Sequence, residues 1–233
     1  MRNDIEYMHG EDEYTVVILW NRSPPDKVVE ALSAQYQGED LVARLAALGG
    51  GDSNISVSSI ERTRDGGRSD GPGGEPAVQH WHENGQLATE EHWRKGKQND
   101  APDGRAAKRS FTPDGVLRHQ MRYNRGVLED SASGDAAVQA FNADGSRYRT
   151  DRFRRGLSND GVDGSPAHEY YGKDGQLQQT ERSLDGQMQD SPDGRPAREM
   201  FNAAGERVRA ECYTKNEMTK QIDVKPAPGR QCP

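Results

Sequence analysis

Up to residue 53 the apolar residues fall in runs and helical stripes; beyond it they recur singly, at a fixed interval. Asp4–Met8 and Glu13–Trp20 predict a hairpin about Gly10. The unbroken run Val16-Val17-Ile18-Leu19-Trp20 predicts a strand buried on both faces. Ser23-Pro24-Pro25-Asp26 is a helix-start signal. Val28, Val29, Leu32 and Tyr36 then follow at helical spacing within Lys27–Tyr36. A second short helix is expected over Asp40–Leu48, with Leu41, Leu45 and Leu48 aligned, and Gly49–Gly51 as a hinge after it.

From Asp70 onward the chain repeats every 30 residues without an insertion. Aromatics recur at Trp81, Phe111, Phe141, Tyr171 and Phe201. A second series holds Trp93, Tyr123, Phe153 and Tyr213, with Ser183 the exception. Alanine recurs at Ala77, Ala107, Ala137, Ala167 and Ala197, and aspartate at Asp70, Asp100, Asp130, Asp160 and Asp190. A fixed period of this length predicts a repeat array. Each unit reads as a β-hairpin turned at His82-Glu83-Asn84-Gly85 and its counterparts, where glycine supplies positive φ. Pairing residue 82 with 86 sets Trp81 opposite Leu87, and parity then assigns Trp93 to the same apolar face. The polar stretches between hairpins, such as 96–104, read as turns, with each aspartate a turn starter.

The expected fold class is mainly β: an extended antiparallel meander of 30-residue hairpin repeats behind a small N-terminal α+β cap. The boundaries read as a cap over 1–53, a partial hairpin and hinge over 54–70, five repeats over 71–220, and an irregular tail over 221–233. Composition sharpens this picture. Leu, Ile, Val and Phe are 33 of 233 residues, about 14%, too few for a thick two-layer enzyme core. One thin apolar layer and local contacts account for the shortage. Net charge is −7. Residues 1–70 carry −6 of it, a balance that disfavours direct nucleic-acid binding. No apolar run approaches membrane-spanning length, so no membrane partner is expected. The absence of a signal peptide pattern and of a disulfide framework reads as cytoplasmic, with Cys212 and Cys232 expected as reduced thiols.

The units resemble the bacterial MORN-variant repeats of antitoxin-like proteins, which run aromatic-x-x-Asn-Gly-x-Leu and then an aromatic and glycine. Trp81, Asn84, Gly85, Leu87, Trp93 and Gly96 match, as do their counterparts over about two-thirds of the chain. The period here is longer by the Pro-Asp-Gly linkers. That resemblance implies a hairpin fold and a binding role, and it carries no catalytic residues.

No phosphate loop, dinucleotide fingerprint, nucleophile elbow or zinc motif is present. No catalytic residue, metal or cofactor is therefore expected. His80 and His82 read as solvated sheet-face residues, with His92 on the same face, and the Asp-Gly loops as turns rather than calcium sites. The candidate partner-binding stripe is one repeat position, His92, Arg122, Arg152 and Arg182, read as outward-facing and extended by Arg94, Arg125, Arg154 and Arg155. A second candidate is the acidic cap, Asp4, Glu6, Glu11, Asp12 and Glu13, whose charge imitates phosphate.

The expectation is a non-enzymatic, protein-binding repeat protein that inhibits a partner by covering its surface. The partner is a toxin or a nucleic-acid-processing enzyme. The roles in view are antitoxin, immunity protein, or phage or plasmid counter-defence inhibitor of anti-CRISPR type. The alternatives are a MORN-type structural or membrane-surface scaffold, and an acidic nucleic-acid mimic.

Overall fold

A computed structural model describes residues 1–51 and 54–223. It is mainly β, an antiparallel meander of hairpins with two short helices near its start. Strands β1 (Arg2–His9) and β2 (Asp12–Arg22) form a hairpin whose turn holds Gly10 at φ 64°. Helices α1 (Asp26–Ser33) and α2 (Gly38–Gly51) follow, and β3 (Ser56–Arg64) returns along β2. Residues 54–70, expected as a partial hairpin and hinge, supply this nine-residue strand and its short partner Gly67–Arg68. The chain divides into two compact units, residues 1–117 and the remainder from 118.

The apolar core lies in the first unit. Val16, Ile18 and Trp20 of β2, with Ile5, Val57 and Ile60, pack against Leu41, Val42 and Leu45 of α2. Alternation decides which residues enter it. Leu19 is exposed and Val17 only half-buried, so the run 16–20 is buried on one face, not on two. The glycines 49–51 continue α2 instead of ending it. At Gly49 a Cβ would stand 3.0 Å from the Val57 amide nitrogen, so the missing side chain lets helix and strand approach.

Each repeat contains two hairpins. In the third, Val138–Phe141 pairs with Arg147–Asp151, and Phe153–Arg154 then pairs with Leu157–Ser158. The short hairpin turns on Arg155 and Gly156 at φ 50° and 79°. Both central residues are left-handed, as a two-residue type I′ turn requires. Lys95-Gly96, Arg125-Gly126 and Asp185-Gly186 repeat it. These short hairpins also stack: Gly156 N–H donates to Leu128 O at 2.9 Å, and Gly186 N–H to Ser158 O at 2.8 Å.

The expected pairing of Trp81 with Leu87 is observed, but a β-bulge follows, and His80 pairs with Thr89. The extra residue reverses parity between the two aromatics. Trp81 packs on the helical core, whereas Trp93 lies with Arg68 and Glu91 on the opposite face. The aromatics therefore do not form one apolar layer. Within the expected tail, Gln221, Ile222 and Asp223 complete the strand Glu217–Asp223, and residues 224–233 lie outside the described residues.

Candidate interaction surface

Apart from Val78, Cys212 and prolines, the buried residues of the repeats are mostly alanines and polar groups. The 30-residue aspartate explains how this is tolerated. Asp130 Oδ1 accepts the N–H groups of Ala137 at 2.8 Å and Phe153 at 2.9 Å. Asp160 does the same for Ala167 and Ser183, and Asp190 for Ala197 and Tyr213. Each carboxylate thus satisfies two backbone donors where the short hairpin leaves the sheet. Burial raises the Asp130 carboxyl above its ordinary range against the pull of those two N–H bonds. The residue read as a turn starter is an internal staple.

The stripe read as outward-facing lies inside. His92 is 0% exposed and Arg182 3%, and Arg122 is also buried. His92 Nδ1 lies 2.9 Å from Asp70 Oδ2, and Arg182 donates to Asp160 Oδ2 at 2.8 Å and Gly164 O at 3.0 Å. Arg122 reaches Asp135, while Arg152 reaches Gly134 O and Glu169. The physical reason is the linker: it folds back across this position, its carbonyls accept guanidinium N–H groups, and a carboxylate, Asp135, Asp160 or the strand residue Glu169, balances the charge. His92 also lies on the Trp81 face, not with the exposed His80. Arg154 and Arg155 do reach solvent, at the tip of their short hairpin.

Cys212 occupies the same repeat position, fully buried and disulfide-bonded. Its expected outward parity and free thiol are both corrected; Cys232 lies outside the described residues. A disulfide belongs to oxidising surroundings, so the thiol-based argument for the cytoplasm falls away.

The acidic cap residues separate. Asp4, Glu6 and Glu13 share the face of the hairpin turned away from the helices, and Glu11 is exposed at its turn. Asp12 pairs with Arg64 at 3.1 Å and Asp4 with Arg2 at 2.7 Å.

In the second unit three exposed apolar side chains sit on the stacked short hairpins, while Val162 of a linker and Val208 and Met218 of the last two strands are exposed elsewhere. Val127 is 44% exposed, Leu157 50% and Leu184 48%. A Cβ on Gly156 would lie 3.7 Å from Val127, and one on Gly186 3.6 Å from Leu157, so each hairpin rests on the previous tip. Arg125, Arg154 and Arg155 flank this row in solvent. The signal for it in the sequence was the Arg-Gly pair between short alternating segments, a type I′ turn absorbed into the polar linker. No group of three or more metal-ligating side chains occurs among the described residues. No described helix is long and apolar enough to cross a membrane.

No protein-family model, curated protein or solved structure matches this chain.

Proposed function

We propose that this chain is a binding protein that inhibits a partner protein by covering its surface, docking through the stacked short hairpins of residues 118–223. The observation that carries the reading is the row Val127, Leu157 and Leu184 in solvent beside Arg125, Arg154 and Arg155. An apolar centre with a cationic rim suits a partner whose own apolar patch is ringed by carboxylates, which arginine engages bidentately. The resemblance to repeats of antitoxin-like proteins supports a neutralising role as antitoxin, immunity protein or counter-defence inhibitor. Glu6 and Glu13 on one outward face favour, as a second reading, an acidic patch that competes with nucleic acid for its enzyme.

The test is affinity capture from the native host with the wild type and with Val127→Asp/Leu157→Asp. A specific partner is then reconstituted as a purified complex. Loss of that partner from the double variant, with the fold retained, is expected. Equal capture by both proteins overturns docking at the hairpin row.

A further inference from the structure

Residues 151, 158 and 168 bring together one position from each of three strands, and in this repeat they carry a carboxylate, a hydroxyl and an imidazole. His168 Nδ1 lies 2.7 Å from Asp151 Oδ1, and its Nε2 lies 2.8 Å from the Ser158 hydroxyl. The equivalent positions elsewhere hold Glu91, Gln98 and Lys108, or Glu181, Met188 and Arg198, closed by ion pairs at 2.8 and 2.9 Å. An ion pair therefore suffices to hold the sheet here. Packing alone does not call for this combination.

We propose that Ser158 is an activated nucleophile, with His168 as its base and Asp151 as the positioning residue, and that it cleaves small carboxylic esters. This goes beyond the binding role and does not depend on it. A carboxylate only accepts, so Asp151 fixes the proton on Nδ1 and leaves the Nε2 lone pair facing the Ser158 O–H. Arg149 Nε donates to the same carboxylate at 2.9 Å. The Phe153 ring meets the imidazole edge to face at 6.4 Å and confines its plane. Asp151 and His168 are largely buried, with side chains 5% and 16% exposed, while Ser158 is partly exposed.

The backbone supplies a donor for the developing negative charge. Residues 154 and 157, and 152 and 159, carry the cross-strand hydrogen bonds of this short hairpin, so the Ser158 N–H points away from its own partner strand. One repeat later the equivalent Met188 N–H is met by Asn216 Oδ1 at 2.6 Å. Gly186, standing where Asn216 stands, has no side chain to do this for Ser158. This amide lies on the same edge as the Ser158 carbonyl, which accepts Gly186 N–H at 2.8 Å, and it is the donor assigned to the oxyanion of acyl transfer.

In the step, Ser158 Oγ bonds to the ester carbonyl carbon while its proton passes to His168 Nε2. The C–O bond to the alcohol then breaks, and the alcohol leaves with that proton. Water adds to the acyl-serine, returning a proton through His168. The carboxylic acid departs and Ser158 regains its hydrogen.

The test uses the full chain with a fluorophosphonate probe, read by intact mass and peptide mapping, and with p-nitrophenyl acetate. One probe adduct at Ser158 is expected, absent in Ser158→Ala and formed about 100-fold more slowly or worse in His168→Gln. Asp151→Glu, the residue at 91 and 181, should label faster than Asp151→Asn. Alanine at 158 is safe for folding because Leu128 and Met188 fill the equivalent positions, and circular dichroism checks it. An unlabelled wild type, labelling that persists in Ser158→Ala, or equal rates in His168→Gln each overturn the proposal.

Discussion

Glu39 at the start of α2 grips the Arg62 guanidinium at two points, Oε1 to Nε at 2.9 Å and Oε2 to Nη2 at 3.0 Å. Arg62 lies 30 residues before His92, at the same repeat position, and its N–H donates to Ala77 O as the later members do to theirs. The helix thus provides the acid that a linker aspartate provides in the repeats. Tyr7 adds its hydroxyl to Glu39 at 2.8 Å, and burial followed by this carboxylate raises the phenol above its ordinary range.

Glu39→Ala should therefore destabilise the chain by about 3–5 kcal/mol, because Arg62 is left buried and unpaired. Urea unfolding measures this. A cost below about 1 kcal/mol contradicts the clamp.

The staple aspartates and the turn aspartates should differ sharply. Asp160→Ala strands two backbone N–H groups and Arg182, at a cost of about 3–5 kcal/mol. Asp174→Ala removes one exposed acceptor, for Gln176 N–H, and should cost about 1 kcal/mol. Equal losses in parallel melts would return Asp160 to an ordinary turn.

His92 stands at a repeat position otherwise occupied by Arg62, Arg122, Arg152 and Arg182, and its Nε2 is buried without a hydrogen-bond partner among the described residues. His92→Arg places donors toward Asp70 and Gly74 O, the counterparts of Asp160 and Gly164. A gain of about 1 kcal/mol in stability is expected from the charged hydrogen bonds it completes. A lower melting temperature would show that this linker has no room for the longer side chain.

Two aspartates, the buried Asp151 and the half-buried Asp130, should respond to acid in opposite directions. Burial pushes the Asp151 carboxyl up, but hydrogen bonds from His168 and Arg149 overcome this and hold it below its ordinary range. Its stabilisation is complete above the unfolded value of about 4 and is lost as pH falls through the folded value. Burial holds Asp130 above that range, so its ionised form opposes folding at neutral pH, and protonation relieves the strain. Against wild type, the stability deficit of Asp151→Asn should shrink between pH 7 and pH 3, and that of Asp130→Asn should grow. Urea titrations at several pH values read both; parallel trends contradict the assignment.

The 30-residue period, the hairpin turns and the helical cap were legible in the sequence because each depends on local chemistry. Glycine at 85 or 145 takes positive φ wherever the chain then travels. Val28, Val29 and Leu32 mark a helix by spacing alone. What tertiary structure decided was direction. One bulge beside Trp81 sent Trp81 and Trp93 to opposite faces, a shift that alternation cannot register. The linker's return over the sheet turned Arg122 and Arg182 from a surface ladder into an interior column, because a charge is buried or solvated according to what folds over it. The partners Glu39 for Arg62, and Asp151 and Ser158 for His168, lie 23, 17 and 10 residues away along the chain. Strand pairing and helix docking set those meetings, and no local pattern encodes them.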